Sequence, residues 1–157
     1  MMPRSPSYSS LESELSRRIL IMDGAMGTMI QKEKLEEAYF RGERFSKHEK
    51  DVIGNHDILN LTQPRLIKSI HAEYLAAGAD IIETNTFNST AISQSEYLLQ
   101  SFAYELNLAG AEIARQAVNE QTSRDPSTPR FVAGVLGPTS RTASISPKVS
   151  DPGYRNV

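Results

Sequence analysis

Arg18-Ile19-Leu20-Ile21-Met22-Asp23-Gly24-Ala25-Met26-Gly27-Thr28 decides how the rest of this chain is read. An apolar run leads into an acid, two glycines and a threonine. A run so short, without helical spacing and with a glycine turn behind it, predicts a strand over Arg18–Met22 buried on both faces. Asp23 then stands at the carboxyl end of that strand, where α/β folds bind their ligands. Asp23-Gly24 reads equally as a contact to a small ligand and as a tight turn that only needs its glycines.

Working outward, the same grammar recurs. Leu66, Ile67, Ile70, Tyr74 and Leu75 fall on one face of a helix predicted over Pro64–Ala77, with Thr62 as N-cap and Gly78 as its stop. His71 lies inside it, expected at the core edge. Ala79–Phe87 follows at once as a second strand, and a helix-bearing link between two strands calls for parallel pairing. This strand also ends in polar residues, Glu83, Thr84, Asn85 and Thr86, and one acid with three hydrogen-bonding side chains favours a binding role. A long helix is predicted over Ser101–Gln121, with Leu106, Ala109, Ile113, Ala117 and Val118 as its stripe. Phe131–Leu136 is the third strand, ending in Gly137-Pro138-Thr139. Repeated βα units with functional loops at one end fit either part of an eight-fold barrel or half of an open doubly wound sheet.

Other segments say less. Met1–Ser10, rich in Ser and Pro, reads as a disordered lead, followed by a short helix over Leu11–Ser16 capped by Ser10. Thr28–Phe40 is a helix candidate whose apolar residues only partly share a face. Arg41–Gly54 is a long polar loop holding His48, with His56 just beyond; with no third ligand nearby, both histidines read as solvated loop residues rather than metal ligands. Asn88–Tyr97 is a loop or short helix, and Ser140–Val157 reads as loop.

Composition narrows the class. At 157 residues, 39% hydrophobic and net charge −2, the chain suits one soluble domain and offers no basic stripe for nucleic acid. No apolar run reaches the roughly 20 residues of a membrane helix, and no secretory signal opens the chain, so a cytoplasmic location is expected. The glycines of Gly24-Ala25-Met26-Gly27 have the wrong spacing for a dinucleotide or P-loop fingerprint. There is no cysteine, which removes disulfides, thiolate nucleophiles and Cys-based zinc sites.

Met22–Thr28, Ala77–Phe87 and Val135–Thr139 together resemble the homocysteine S-methyltransferase family. Met29-Ile30-Gln31, Phe40-Arg41-Gly42 and Gly54–Pro64 narrow the likeness to the N-terminal homocysteine-binding module of the cobalamin-dependent methionine synthases. So does Ser144–Asn156, with its Ser146-Pro147 and Tyr154-Arg155-Asn156. The resemblance covers about Ile19–Val157. It implies an α/β fold, the first three βα units of an incomplete (β/α)8 TIM barrel over residues 18–157, behind a lead and short helix over 1–17. It implies homocysteine as substrate, a zinc ion held by three cysteines to ionise its thiol, and a methyl group delivered by cobalamin. Those cysteines, and a glutamate that helps hold the homocysteine amino group, belong to later strands than this sequence reaches. No catalytic residue, no metal ligand and no bindable cofactor are therefore expected here. What carries over is substrate binding by Asp23 and Gly24 and, from the second strand, Glu83, Thr84 and Asn85. Open sheet edges of an unclosed barrel lead one to expect self-association.

Overall fold

A computed structural model describes residues 6–141, 146 and 148–155. Met1–Ser5, and Ser144, Pro147 and Asn156 of the terminal stretch, lie outside the described residues. The architecture is α/β, rich in helix, around a small parallel sheet. Helix α1 spans Pro6–Leu15, α2 Met26–Lys32, α3 Glu37–Arg41 and α4 Leu59–Thr62; α5 Pro64–Ala76 leads into strand β1, Ile81–Glu83. Helix α6, Ala91–Gln94, and the long α7, Ala103–Arg124, precede strand β2, Phe131–Ala133.

The sheet is smaller than the apolar runs suggest. β1 and β2 pair in parallel, with Ile81, Ile82 and Glu83 opposite Phe131, Val132 and Ala133. Arg18–Met22 is not a full strand. It runs beside β1 through one parallel bridge, Met22 to Ile81, with Asp80 and Ile81 N–H donating to Ile21 O and Asp23 N–H to Ile81 O. Nor is it buried on both faces: Ile19 is 85% exposed, Ile21 56% and Met22 49%. The physical reason is that helices cover one face only. Ile82 packs into that layer with Leu75, Ala114, Ala117 and Val118, while no described element covers the opposite side of Ile19 and Ile21.

Helix α5 follows its sequence signals closely. Pro64 opens it, and at its end Gly78, at φ +106°, takes the left-handed conformation that closes a helix. Gly78 N–H donates to Leu75 O and Ala79 N–H to Tyr74 O, satisfying two terminal carbonyls. Thr62 is not its cap: it ends α4, and its hydroxyl donates to Ile58 O. Helix α1 begins five residues before the expected Leu11, so Ser10 lies within it and Leu15 is exposed. The candidate helix over Thr28–Phe40 is two helices, broken where Lys34 turns left-handed at φ +49° and lets Leu35 pack onto the core. The long loop after α3 is wound around two side chains. Arg41 donates to the carbonyls of Phe45, His48 and Lys50, and Glu37 accepts the N–H groups of Val52 and Ile53.

At the amino ends of the strands Asp80 ties three segments together. Its carboxylate accepts Ile21 N–H at 3.0 Å and pairs with Arg18 at 2.9 Å and Arg130 at 2.8 Å. Burial pushes this carboxyl up, but the Ile21 bond and the two guanidiniums outweigh it and hold the group below its ordinary value.

Candidate functional site

The opposite, carboxyl ends of the strands enclose a cavity of about 470 Å³. Asp23, Gly24, Glu83, Thr84 and Asn85 all line it, joined by Met26, Gly27, His56, Asp57, Phe87, Asn88 and Val135. The five residues singled out in the sequence therefore share one wall, although their individual duties differ.

Asp23 is anchored as well as presented. Both carboxylate oxygens accept the N–H of Glu83 at 3.1 Å, so the side chain extends the pairing between its own segment and β1. Burial raises its pKa to about 6; the Glu83 N–H bond pulls it down, and the neighbouring Glu83 charge pushes it further up. No described residue donates a hydrogen bond to the Glu83 carboxylate. Two adjacent acids on a half-buried wall favour a cationic group between them, because it relieves both the desolvation and the mutual repulsion.

Thr84 and Asn85 face the cavity with most of their hydrogen-bonding capacity already used. Val135 N–H donates to Thr84 Oγ1, the Thr84 hydroxyl to Thr86 Oγ1, and the Thr86 hydroxyl to Val135 O. This closed circuit prolongs the β1–β2 pairing through side chains. Asn85 Nδ2 donates to His56 O at 2.9 Å and to Asn60 Oδ1 at 3.1 Å, while Asn60 Nδ2 returns a bond to Asn85 O at 2.8 Å. Both residues build the wall; Asn85 Oδ1 is left without a donor among the described residues.

The turn at His56–Ile58 supplies what sequence reading missed. Asp57 is buried, accepting Asn88 N–H at 2.8 Å and the Ser89 hydroxyl at 2.6 Å; burial raises its pKa against the pull of those bonds. Asn55 and Gln94 exchange amide bonds beneath it. His56 is not a solvated loop residue. It is half-buried in the cavity wall, its ring stacked near Phe40, and burial lowers its pKa. His48 sits elsewhere, its Nε2 donating to Tyr97 O at 2.7 Å. Gly54–Pro64 carries part of the family resemblance, but Asn55–Leu61 mixes polar and apolar residues without periodicity, so nothing in it marks His56 and Asp57 as cavity residues.

The family description "homocysteine S-methyltransferase" matches residues 20–157. The chain belongs to the homocysteine S-methyltransferase family. Its fold is similar to part of two crystal structures of the homocysteine methyltransferase MmuM from Escherichia coli. The metallated form matches at 24% identity with a TM-score of 0.62, over 82% of this chain and 41% of that one. The oxidised form matches at 25% identity with a TM-score of 0.63, over 82% and 40%. The chain thus spans about two fifths of the length of these relatives. Among the described residues no helix is long and apolar enough to cross a membrane.

Proposed function

We propose that this chain supplies one wall of a homocysteine site in a (β/α)8 barrel. Asp23 and Glu83 would hold the α-ammonium group, and Gly24 would let the ligand lie close against the backbone. The observation that carries this reading is the pair of adjacent carboxylates lining a cavity, roomy enough for an amino acid, at the strands' carboxyl ends.

The parent activity we propose is that of a methionine synthase. In such a parent, cobalamin when bound would supply the methyl group that passes to the homocysteine sulfur, and no described residue of this chain is assigned to hold it. The part played by this chain's residues is to bind and orient the amino-acid end. The cavity residues do not fit the family's thiolate zinc site. The sequence contains no cysteine, and among the described residues no three His, Asp or Glu side chains converge as a ligand set. These residues would not hold the zinc, and the chain by itself is proposed to be inactive in methyl transfer. A second proposed parent is a homocysteine methyltransferase that takes betaine or S-methylmethionine as its methyl donor.

Calorimetric titration of the purified chain with L-homocysteine tests the binding reading. Binding is expected at pH 7, with Asp23→Asn weakening it by about tenfold, since Asn keeps the Glu83 N–H bond and loses the charge. At pH 6 the native chain should release more protons on binding than Asp23→Asn does, because an ammonium beside Asp23 lowers its pKa from about 6. No binding by the native chain would refute the site. Methionine formation by this chain alone would refute its inactivity.

A further inference from the structure

The cavity wall is strongly one-sided in charge. Asp23, Asp57 and Glu83 line it, and His56 is the one lining side chain that can carry positive charge among the described residues. A free amino acid is a zwitterion, so acids that attract its ammonium repel its carboxylate unless a donor faces that end. His56 is placed for this. Its ring stands over the glycine turn: a β-carbon at Gly27 would lie 3.4 Å from His56 Nδ1 and 3.5 Å from Cε1. Its other flank is backed by Phe40, with ring centroids 6.2 Å apart and planes 25° from parallel. Among the described residues neither ring nitrogen has a hydrogen-bond partner, and neither is sealed from solvent. Asn85 Nδ2 holds the carbonyl of the same residue at 2.9 Å, which fixes the backbone beneath the ring. Lys34 lines a separate, smaller cavity on the far side of His56.

We infer that His56 is a specificity-determining residue that recognises the carboxylate of the bound amino acid. This rests on the proposal that the cavity takes homocysteine by its ammonium group. The imidazole donates one N–H to the ligand carboxylate, and the stack on Phe40 and the glycine turn restrict its orientation. A ligand carboxylate at hydrogen-bond distance favours the charged ring and offsets the burial that disfavours it.

The test uses the full chain and two thiols that differ only in the carboxylate: L-homocysteine and 3-aminopropane-1-thiol. The native chain should bind both, the amino acid about tenfold more tightly. His56→Leu should remove that preference, weakening L-homocysteine about tenfold more than the aminothiol. His56→Gln, which keeps an N–H donor, should restore part of it. In proton NMR, the imidazole signal missing from His56→Leu should titrate at higher pH with L-homocysteine bound and stay put with the aminothiol. An unchanged preference in His56→Leu, or equal weakening of both ligands, would overturn the inference. Failure of the native chain to bind either thiol would instead overturn the homocysteine reading, and this inference with it.

Discussion

At the scale of single residues, a buried histidine and a half-buried aspartate pull stability in opposite directions. His71 in α5 is fully buried with neither ring nitrogen hydrogen-bonded, and burial lowers its pKa to about 4. The unfolded chain then takes up this proton near pH 6.5 and the native chain only near pH 4. Native stability therefore falls as pH drops through that window, by about 3 kcal/mol at pH 4. Asp23 works the other way: its raised native pKa makes the folded state gain stability as pH falls from about 6 towards 4. The difference between the native chain and His71→Leu in urea unfolding isolates the histidine. The variant should be about 1–2 kcal/mol more stable at pH 7, where an orphaned ring N–H is removed, and the gap should widen on acidification. Asp80 has a depressed pKa, so its stabilisation is present above about pH 4 and is lost as pH falls through its native value. Asp80→Ala should cost about 3 kcal/mol at pH 7 by urea unfolding, because it strands the largely buried Arg130 and the Ile21 N–H.

At the scale of elements, the cavity wall depends on how closely α7 approaches it. Gly110 sits mid-helix, where glycine ordinarily weakens a helix by about 1 kcal/mol relative to alanine. Here a β-carbon would fall 2.7 Å from Thr86 Cγ2 and 2.8 Å from Asn60 Nδ2. Both partners belong to the networks that hold Thr84 and Asn85. Gly110→Ala should therefore destabilise the fold by about 1–3 kcal/mol despite its better helix propensity, and weaken homocysteine binding with it. A rise in thermal midpoint with unchanged binding would show that α7 can give way. The pairing of Asn55 with Gln94, and of Asp57 with Asn88 and Ser89, similarly makes the turn before α4 and the loop after β1 one unit.

At the scale of the whole molecule, one face of the small sheet carries the helices and the other is bare among the described residues. Ile19, Ile21, Met22 and Leu136 are exposed, and β-edge backbone lies beside them. Apolar edge segments of this kind pair with other chains. Sedimentation of the purified chain should therefore show concentration-dependent association, and Ile19→Lys with Ile21→Lys should shift it towards monomer. A concentration-independent monomer in the native chain would show that this face is tolerated alone.

The sequence by itself determined the elements whose signals are local. The apolar face of α5 and its Gly78 stop, the stripe of α7, and the parallel pairing of two strands separated by a helix all follow from periodicity and capping within a few residues. The motifs around Asp23 and over Ala77–Phe87 were also enough to point to the family. Tertiary structure alone decided which side chains meet across long separations. It converted Arg18–Met22 from a doubly buried strand into a half-exposed segment, since burial depends on what packs against a face and not on the run itself. It spent Thr84 and Asn85 largely on bonds to Val135, His56 and Asn60, and placed His56 and Asp57 in the cavity. No periodicity encodes such contacts: hydrogen-bond partners tens of residues apart are chosen by the packing of α5 and α7 on the sheet, after the local elements have formed.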